Sequence, residues 1–171
     1  MDHGDLQTLI AYMRWSQARL LELIEDISAE DWARDDGGSF GSLRGTLTHM
    51  LGAERIWAAR LRGETAAMPA PSEFSCPAAL AAAWRRETEA LAAWADGLPA
   101  GPVTASLRYQ DSQGRGWTTP VAMILLHLAQ HQSYHRGQAI QSLRRLGRPV
   151  RATDFIVFDR QRRAEGAAPP R

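Results

Sequence analysis

The chain has 171 residues, of which 20 are basic and 19 acidic, so its formal net charge is +1. This balance excludes a protein that binds polyanions through bulk charge. A composition that is 44% hydrophobic and 23% charged excludes disorder throughout and is typical of a globular protein. We expect residues 1–163 to form one domain and residues 164–171 to form a disordered tail.

The sequence contains no targeting or membrane signal. No apolar run approaches the roughly 18 to 20 residues that cross a bilayer, and the acidic N-terminus leads into no signal-peptide core. We therefore expect a soluble, cytoplasmic protein without a membrane partner. Cys76 is the single cysteine, which excludes an internal disulfide and a cysteine-based metal cluster. We expect its thiol to be buried and inert, and any bound metal to have nitrogen or oxygen ligands.

Four segments show apolar residues at spacings of three and four, which predicts one buried face of a helix in each. Ser42 precedes the second segment as an N-cap, and Gly63 follows it as a stop signal. The third begins with proline, which the first turn of a helix tolerates. The predicted helices cover Leu6 to Ile27, Ser42 to Gly63, Pro77 to Asp96 and Pro120 to Leu146.

Shorter elements are predicted between and after these helices. Ser28 is placed to cap a short helical turn, and residues 64–77 contain three prolines and indicate a loop. Alternating residues from Val103 to Thr119, with a turn at Asp111, predict a small β-hairpin. A short helix from Phe155 to Phe158 closes the chain. Four long amphipathic helices favour an all-α four-helix bundle decorated by the hairpin.

Three of the five histidines, His127, His131 and His135, recur at intervals of four in the last long helix. Each step leaves a drift of only about 40°, so the rings lie on one helix face. Two imidazoles at this spacing can bind a single ion. No glutamate lies between His131 and His135, which disfavours a metalloprotease.

A third nitrogen ligand must come from another helix, and His49 is the candidate, at the edge of the apolar stripe of the second long helix. If that helix and the last one run antiparallel with flush ends, the axial mismatch with His49 is about 8 Å for His135 and about 20 Å for His127. This favours His131 and His135 as the pair. The alternative for His49 is a hydrogen-bonded core histidine. His3 lies near a flexible terminus and is discounted.

Two segments of the sequence resemble the DinB/YfiT-like family. The likeness extends over nearly everything from Leu6 to Phe158, including the hairpin before the last long helix. The segments that carry it are Gly41-Ser42-Leu43-Arg44-Gly45-Thr46-Leu47-Thr48-His49-Met50-Leu51-Gly52-Ala53-Glu54-Arg55-Ile56-Trp57 and His127-Leu128-Ala129-Gln130-His131-Gln132-Ser133-Tyr134-His135-Arg136-Gly137-Gln138, the latter followed by Leu143-Arg144-Arg145-Leu146-Gly147.

The resemblance implies an up-down-down-up four-helix bundle, a homodimer, and a divalent ion held by His49, His131 and His135. The sequence leaves the ion open among Zn, Ni, Fe and Mn, because an all-nitrogen site accepts each of them. His127 matches a position where the family often has histidine. It is interpreted either as a residue beside the ligands or lining the pocket, or as a core histidine with one hydrogen bond.

Three further residues are candidates beside the metal. Arg136 and Gln138 fit the family's pattern, although Arg136 is equally interpretable as part of a surface ion pair. Glu54 lies five residues after His49. It is interpreted either as lining the pocket or as pairing with a nearby arginine.

Three imidazoles leave a coordination position open on the ion, which is the pattern of catalytic sites. Such an ion can activate water for hydrolysis or a thiol for attack on an electrophile. Relatives include transferases and isomerases that use thiols such as bacillithiol or mycothiol. We therefore expect a metal-dependent thiol transferase or hydrolase with a small-molecule substrate. The alternative is a non-catalytic, metal-binding dimeric stress or interaction protein. Nucleic-acid binding is disfavoured because the arginines are scattered rather than clustered.

Overall fold

The structure is a computed structural model that describes residues 1–101 and 103–167. This part of the chain is mostly helical with one small antiparallel hairpin, which confirms the predicted fold class at that level. Six α-helices, one 3-10 helix and two strands are present among the described residues: α1 His3–Glu22, α2 Ala29–Ala33, α3 Leu43–Leu61, the 3-10 helix Pro71–Glu73, α4 Pro77–Asp96, β1 Ser106–Gln110, β2 Gly116–Pro120, α5 Val121–Arg145 and α6 Phe155–Ala167.

The four long helices pack against one another and enclose the core. Helix α3 contacts both α4 and α5, and α1 also contacts both. The buried apolar side chains form two clusters. One contains Leu47, Trp84 and Leu143, and the other contains Leu6, Leu91 and Leu128. None of the helices in the described part of the chain combines the length and the apolar character needed to span a membrane.

Helix α3 begins where its cap was predicted. The Oγ atom of Ser42 accepts a hydrogen bond from the backbone N–H of Gly45 at 3.1 Å, which satisfies one of the free donors of the first turn. The cap of the short helix α2 is confirmed in the same way, with Ser28 Oγ 3.0 Å from the Asp31 nitrogen. The hairpin pairs Ser106 with Pro120 and leads directly into α5. These starts fix the positions of the helices that carry histidines.

The N-terminal helix differs from its prediction at both ends. Asp2 caps it, so the helix begins at His3, and the His3 Nε2 atom lies 3.1 Å from the Ala95 carbonyl oxygen. The prediction of a flexible terminus there was wrong. Helix α1 also ends at Glu22, before the predicted Ile27. The apolar spacing continues past the end because the turn that follows still buries Ile24 and Ile27.

The C-terminal part is also more ordered than predicted. Helix α6 continues to Ala167, so residues 164–167 are helical rather than part of a disordered tail, and residues 168–171 lie outside the described residues. The buried Phe158 packs against the rings of Tyr12 and Trp15 on α1 and thereby fixes α6 to the helices beneath it. A second correction concerns Cys76, which is exposed at the N-cap of α4 rather than buried.

Candidate metal centre

The structure brings together the three histidines that the sequence singled out. His49 lies in the second turn of α3, and His131 and His135 lie one turn apart on α5. The Nε2 atoms of His49 and His131 are 3.0 Å apart. One ring nitrogen from each of the three residues lies within 4.8 Å of the others. This is the spacing of nitrogen atoms around a shared ion, because Zn–N bonds measure about 2.0–2.1 Å.

The surroundings keep the histidine rings neutral. His135 is buried, and His49 and His131 are half-buried. Burial lowers the pKa of His131 to about 4, and the charges that His135, His49 and His127 carry when protonated act in the same direction. Burial and the charge of protonated His135 lower the pKa of His49 as well. A neutral imidazole has the lone pair that binds a metal, so the donor set fits a divalent transition-metal ion.

Gln138 determines which nitrogen of His135 is available. Its Oε1 atom lies 2.7 Å from His135 Nδ1. An amide oxygen only accepts hydrogen bonds, so Nδ1 carries the proton and donates, and Nε2 keeps its lone pair. The structure therefore places Gln138, a candidate from the sequence, directly behind one of the three histidines.

Phe40 covers one side of the group and was not predicted. Its ring stacks on His49 with centroids 4.1 Å apart and meets His135 edge-on at 5.3 Å. The loop that carries it crosses α3 at Gly45, where an added Cβ would lie 2.1 Å from the Phe40 carbonyl oxygen. The sequence analysis treated this segment only as a helix breaker. A glycine in the first turn of α3 was the one local signal of a close backbone approach.

His127 lies at the margin of the group. Its side chain is exposed, its ring centroid is 5.8 Å from that of His131, and it meets Trp57 edge-on at 5.7 Å. The interpretation of His127 as a core histidine is wrong. Its place beside His131 agrees with the other interpretation, a residue next to the ligands.

Arg136 is buried, so its interpretation as part of a surface ion pair is wrong. Its guanidinium donates to Tyr12 Oη at 2.6 Å, to Ser16 Oγ at 3.0 Å and to Thr153 Oγ1 at 2.9 Å. These partners are neutral and belong to α1 and to the segment before α6. Arg136 therefore joins α5 to α1 and to the C-terminal segment.

Glu54 is also buried, and none of its hydrogen-bond partners in the described structure is an arginine, so the arginine-pair interpretation is wrong. The carboxylate accepts hydrogen bonds from Trp84 Nε1 at 2.9 Å, from the Thr88 hydroxyl and from Gln132 Nε2 at 3.2 Å. Burial raises its pKa to about 7, against the opposing effect of the bonds from Thr88 and Trp84. Glu54 lies among α3, α4 and α5 and lines a small internal cavity with Gln132 and Arg136.

A surface cleft of about 440 Å³ adjoins the histidine group. Gln138 lines it, as does Tyr134, whose ring is 68% exposed as a residue and meets His135 edge-on at 4.9 Å. The opposite wall comes from the loop before α3, with Asp36 and Ser39. The cleft is therefore polar and large enough for a small molecule next to His135.

One comparison with known proteins identifies a family. The family model described as DinB family matches residues 1–166 of the chain, a range that contains every residue of the site described above. No curated protein matches the chain.

Proposed function

The chain belongs to the DinB family, and we propose that it is a divalent-metal-dependent enzyme that acts on a small molecule, either transferring a low-molecular-weight thiol or catalysing a hydrolysis. The observation that carries this proposal is the convergence of three neutral imidazoles from two helices. In the described part of the chain, this group contains three protein ligands. Catalytic sites keep a coordination position open in this way, whereas structural sites use four protein ligands.

His49, His131 and His135 are the proposed ligands. A divalent ion held by them supplies positive charge that lowers the pKa of a water molecule or thiol beside it. Zn, Ni, Fe and Mn all suit imidazole nitrogen, and the availability of each metal contributes to which one is bound.

The remaining residues of the site position these groups and shape the space beside them. Gln138 holds the proton on His135 Nδ1 and orients the ring. Phe40 supplies an apolar wall over His49, and His127 extends the imidazole surface toward Trp57. We infer that the cleft lined by Tyr134 and Gln138 admits the small molecule.

The wider assignments are part of the same proposal. We infer that the four long helices have the up-down-down-up bundle topology, because α1 and α3 each pack on both α4 and α5. We further propose a cytoplasmic homodimer that binds neither nucleic acid nor membrane. The near-neutral net charge of +1 supports the absence of a polyanionic partner.

A non-catalytic function is the second candidate, because the histidines join α3 to α5 and Phe40 stacks directly on His49. In that case the ion links the helices, and the protein is a metal-stabilised interaction or stress protein. This candidate predicts a closed site that no added ligand reaches.

Metal analysis and ligand binding test the proposal. We expect untagged protein to carry about one divalent ion per chain, and His135→Ala to remove it. In the Co(II)-substituted protein, an added thiol or azide should change the visible spectrum, and thiols should then be screened with electrophiles for turnover. A spectrum that neither ligand changes would support the second candidate, and a wild-type protein without metal would contradict both.

A further inference from the structure

Gln132 joins the two helices that carry the histidines, one residue beyond a proposed ligand on each side. It follows His131 on α5, and its Nε2 atom donates to the backbone carbonyl of Met50, the residue after His49 on α3, at 3.0 Å. The side chain is only 4% exposed. This hydrogen bond therefore links the two helices directly beside the contact between His49 and His131.

A second hydrogen bond from the same amide prevents α3 from turning about the first. Gln132 Nε2 also donates to Glu54 at 3.2 Å, and Glu54 lies one helical turn after Met50 on the same face of α3. Two attachment points one turn apart fix both the position of α3 along its axis and its rotation. A shift of one residue would move His49 by about 1.5 Å along the axis and turn it by about 100°.

Glu54 is itself held from a third helix. Trp84 Nε1 and the hydroxyl of Thr88, both on α4, donate to its carboxylate. The side chain is 2% exposed, so these bonds form away from competing water. Helix α4 contributes none of the histidines, yet through Glu54 it braces the pair of helices that does.

We propose that Gln132 is a positioning residue of the metal centre, whose paired hydrogen bonds to Met50 and Glu54 hold α3 and α5 in the register that keeps the His49 and His131 nitrogens at the separation a shared ion needs. The metal part of this inference rests on the proposed function. The register itself is a property of the metal-free protein and has its own measurement.

The test variant is Gln132→Met, which keeps the length and volume of the side chain and removes its N–H donors. Gln141→Met is the matched control, because Gln141 is an exposed glutamine on the same helix. Leu91→Ala controls for lost stability, since Leu91 is fully buried in the cluster with Leu6 and Ile10. If Gln132→Met does not fold, Gln132→Asn replaces it, because its shorter amide cannot span both acceptors.

Metal titration gives the first measurement. We expect Gln132→Met to weaken Zn(II) and Co(II) binding by about tenfold to a hundredfold, the usual effect of losing a group that orients ligands. The visible spectrum of its Co(II) form should also change. Both controls should bind as the wild type does. Binding within twofold of wild type with an unchanged spectrum would overturn the proposal, as would an equal loss in Leu91→Ala.

Imidazole ¹⁵N NMR of the metal-free proteins gives the second measurement and separates the two proposals. In the wild type, the 3.0 Å contact should give His49 and His131 the Nε2 shifts of a hydrogen-bonded pair. Gln132→Met should lose this pairing while both controls retain it. If the wild type binds no metal, the proposed function fails and this measurement alone decides. Unchanged pairing in Gln132→Met then refutes the role of Gln132, and lost pairing supports it.

Discussion

The hydrogen bond between Gln138 and His135 makes a prediction about a single ring. Gln138→Leu removes the acceptor that holds the proton on Nδ1, so both tautomers of His135 become available and the ring is free to turn. We expect metal affinity to fall by about tenfold to a hundredfold. Metal titration with a competing chelator measures it.

Gln138→Glu is the control for this prediction, because a carboxylate accepts the same proton. Its affinity should stay at or above that of the wild type. Equal losses in the leucine and glutamate variants would show that the hydrogen bond does not set the affinity.

Glu54 predicts a pH dependence of folding. Its pKa is raised by burial from 4.5 to about 7, so between these values the folded chain keeps a proton that the unfolded chain has lost. Stability contributed by the neutral carboxyl is therefore complete below pH 4.5 and decreases as the pH rises toward 7. The decrease is up to about 3 kcal/mol, at 1.36 kcal/mol for each pKa unit.

Glu54→Gln removes this titration and measures it. Urea unfolding of metal-free wild type and variant across this pH range should show the variant gaining stability relative to the wild type as the pH rises. The histidines contribute equally to both proteins and cancel in the difference. A difference that does not change with pH would contradict the assignment.

At the scale of the elements, the helices were predictable and the loop over the site was not. Ser42 and Gly63 bound α3 because caps and stop signals act on the adjacent backbone. The end of α1 was misplaced because Ile24 and Ile27 are buried whether or not the helix continues. Phe40 reaches His49 only because its loop folds back over α3, and no local pattern encodes that contact.

Gly45 tests the path of this loop. An alanine Cβ there would lie 2.1 Å from the Phe40 carbonyl oxygen and 3.1 Å from its carbon, both backbone atoms that cannot move aside without shifting the loop. We expect Gly45→Ala to destabilise the fold by about 1–3 kcal/mol, because the clash outweighs the better helix propensity of alanine. Chemical denaturation measures the change.

Gly137→Ala is the matched control on α5, where an added Cβ meets nothing within 4 Å. There the propensity gain acts alone, and stability should rise by up to about 1 kcal/mol. Opposite signs at the two positions are the expected result. A stabilising Gly45→Ala would show that the Phe40 loop does not press on α3.

At the scale of the whole molecule, the site was predictable where it follows helix geometry. The spacing of His131 and His135 places both on one face, and the register of two long helices brings His49 to the same level. The partners of Gln132, Glu54 and Arg136 depend instead on which side chains meet between helices. Charged residue types suggested surface ion pairs, whereas the packed helices bury Glu54 and Arg136 among neutral donors and acceptors.

An ion that joins α3 to α5 binds the folded chain and has no preformed site in the unfolded one, so it must stabilise the fold. At a free metal concentration about 100 times the dissociation constant, the gain is about 2.7 kcal/mol. For a chain of this size, each kcal/mol raises the melting temperature by roughly 2–4 °C. We therefore expect removal of the metal with a chelator to lower it by about 5–11 °C, as followed by circular dichroism.

His135→Ala provides the control for this stabilisation, because it removes one proposed ligand and leaves the Gln132 hydrogen bonds in place. Its melting temperature should be the same with metal and with chelator. A variant that metal stabilises as much as the wild type would place the ion elsewhere in the molecule. A wild type that responds to neither treatment would show that the three imidazoles converge without binding an ion, and the interaction between α3 and α5 would then rest on side-chain packing and on Gln132 alone.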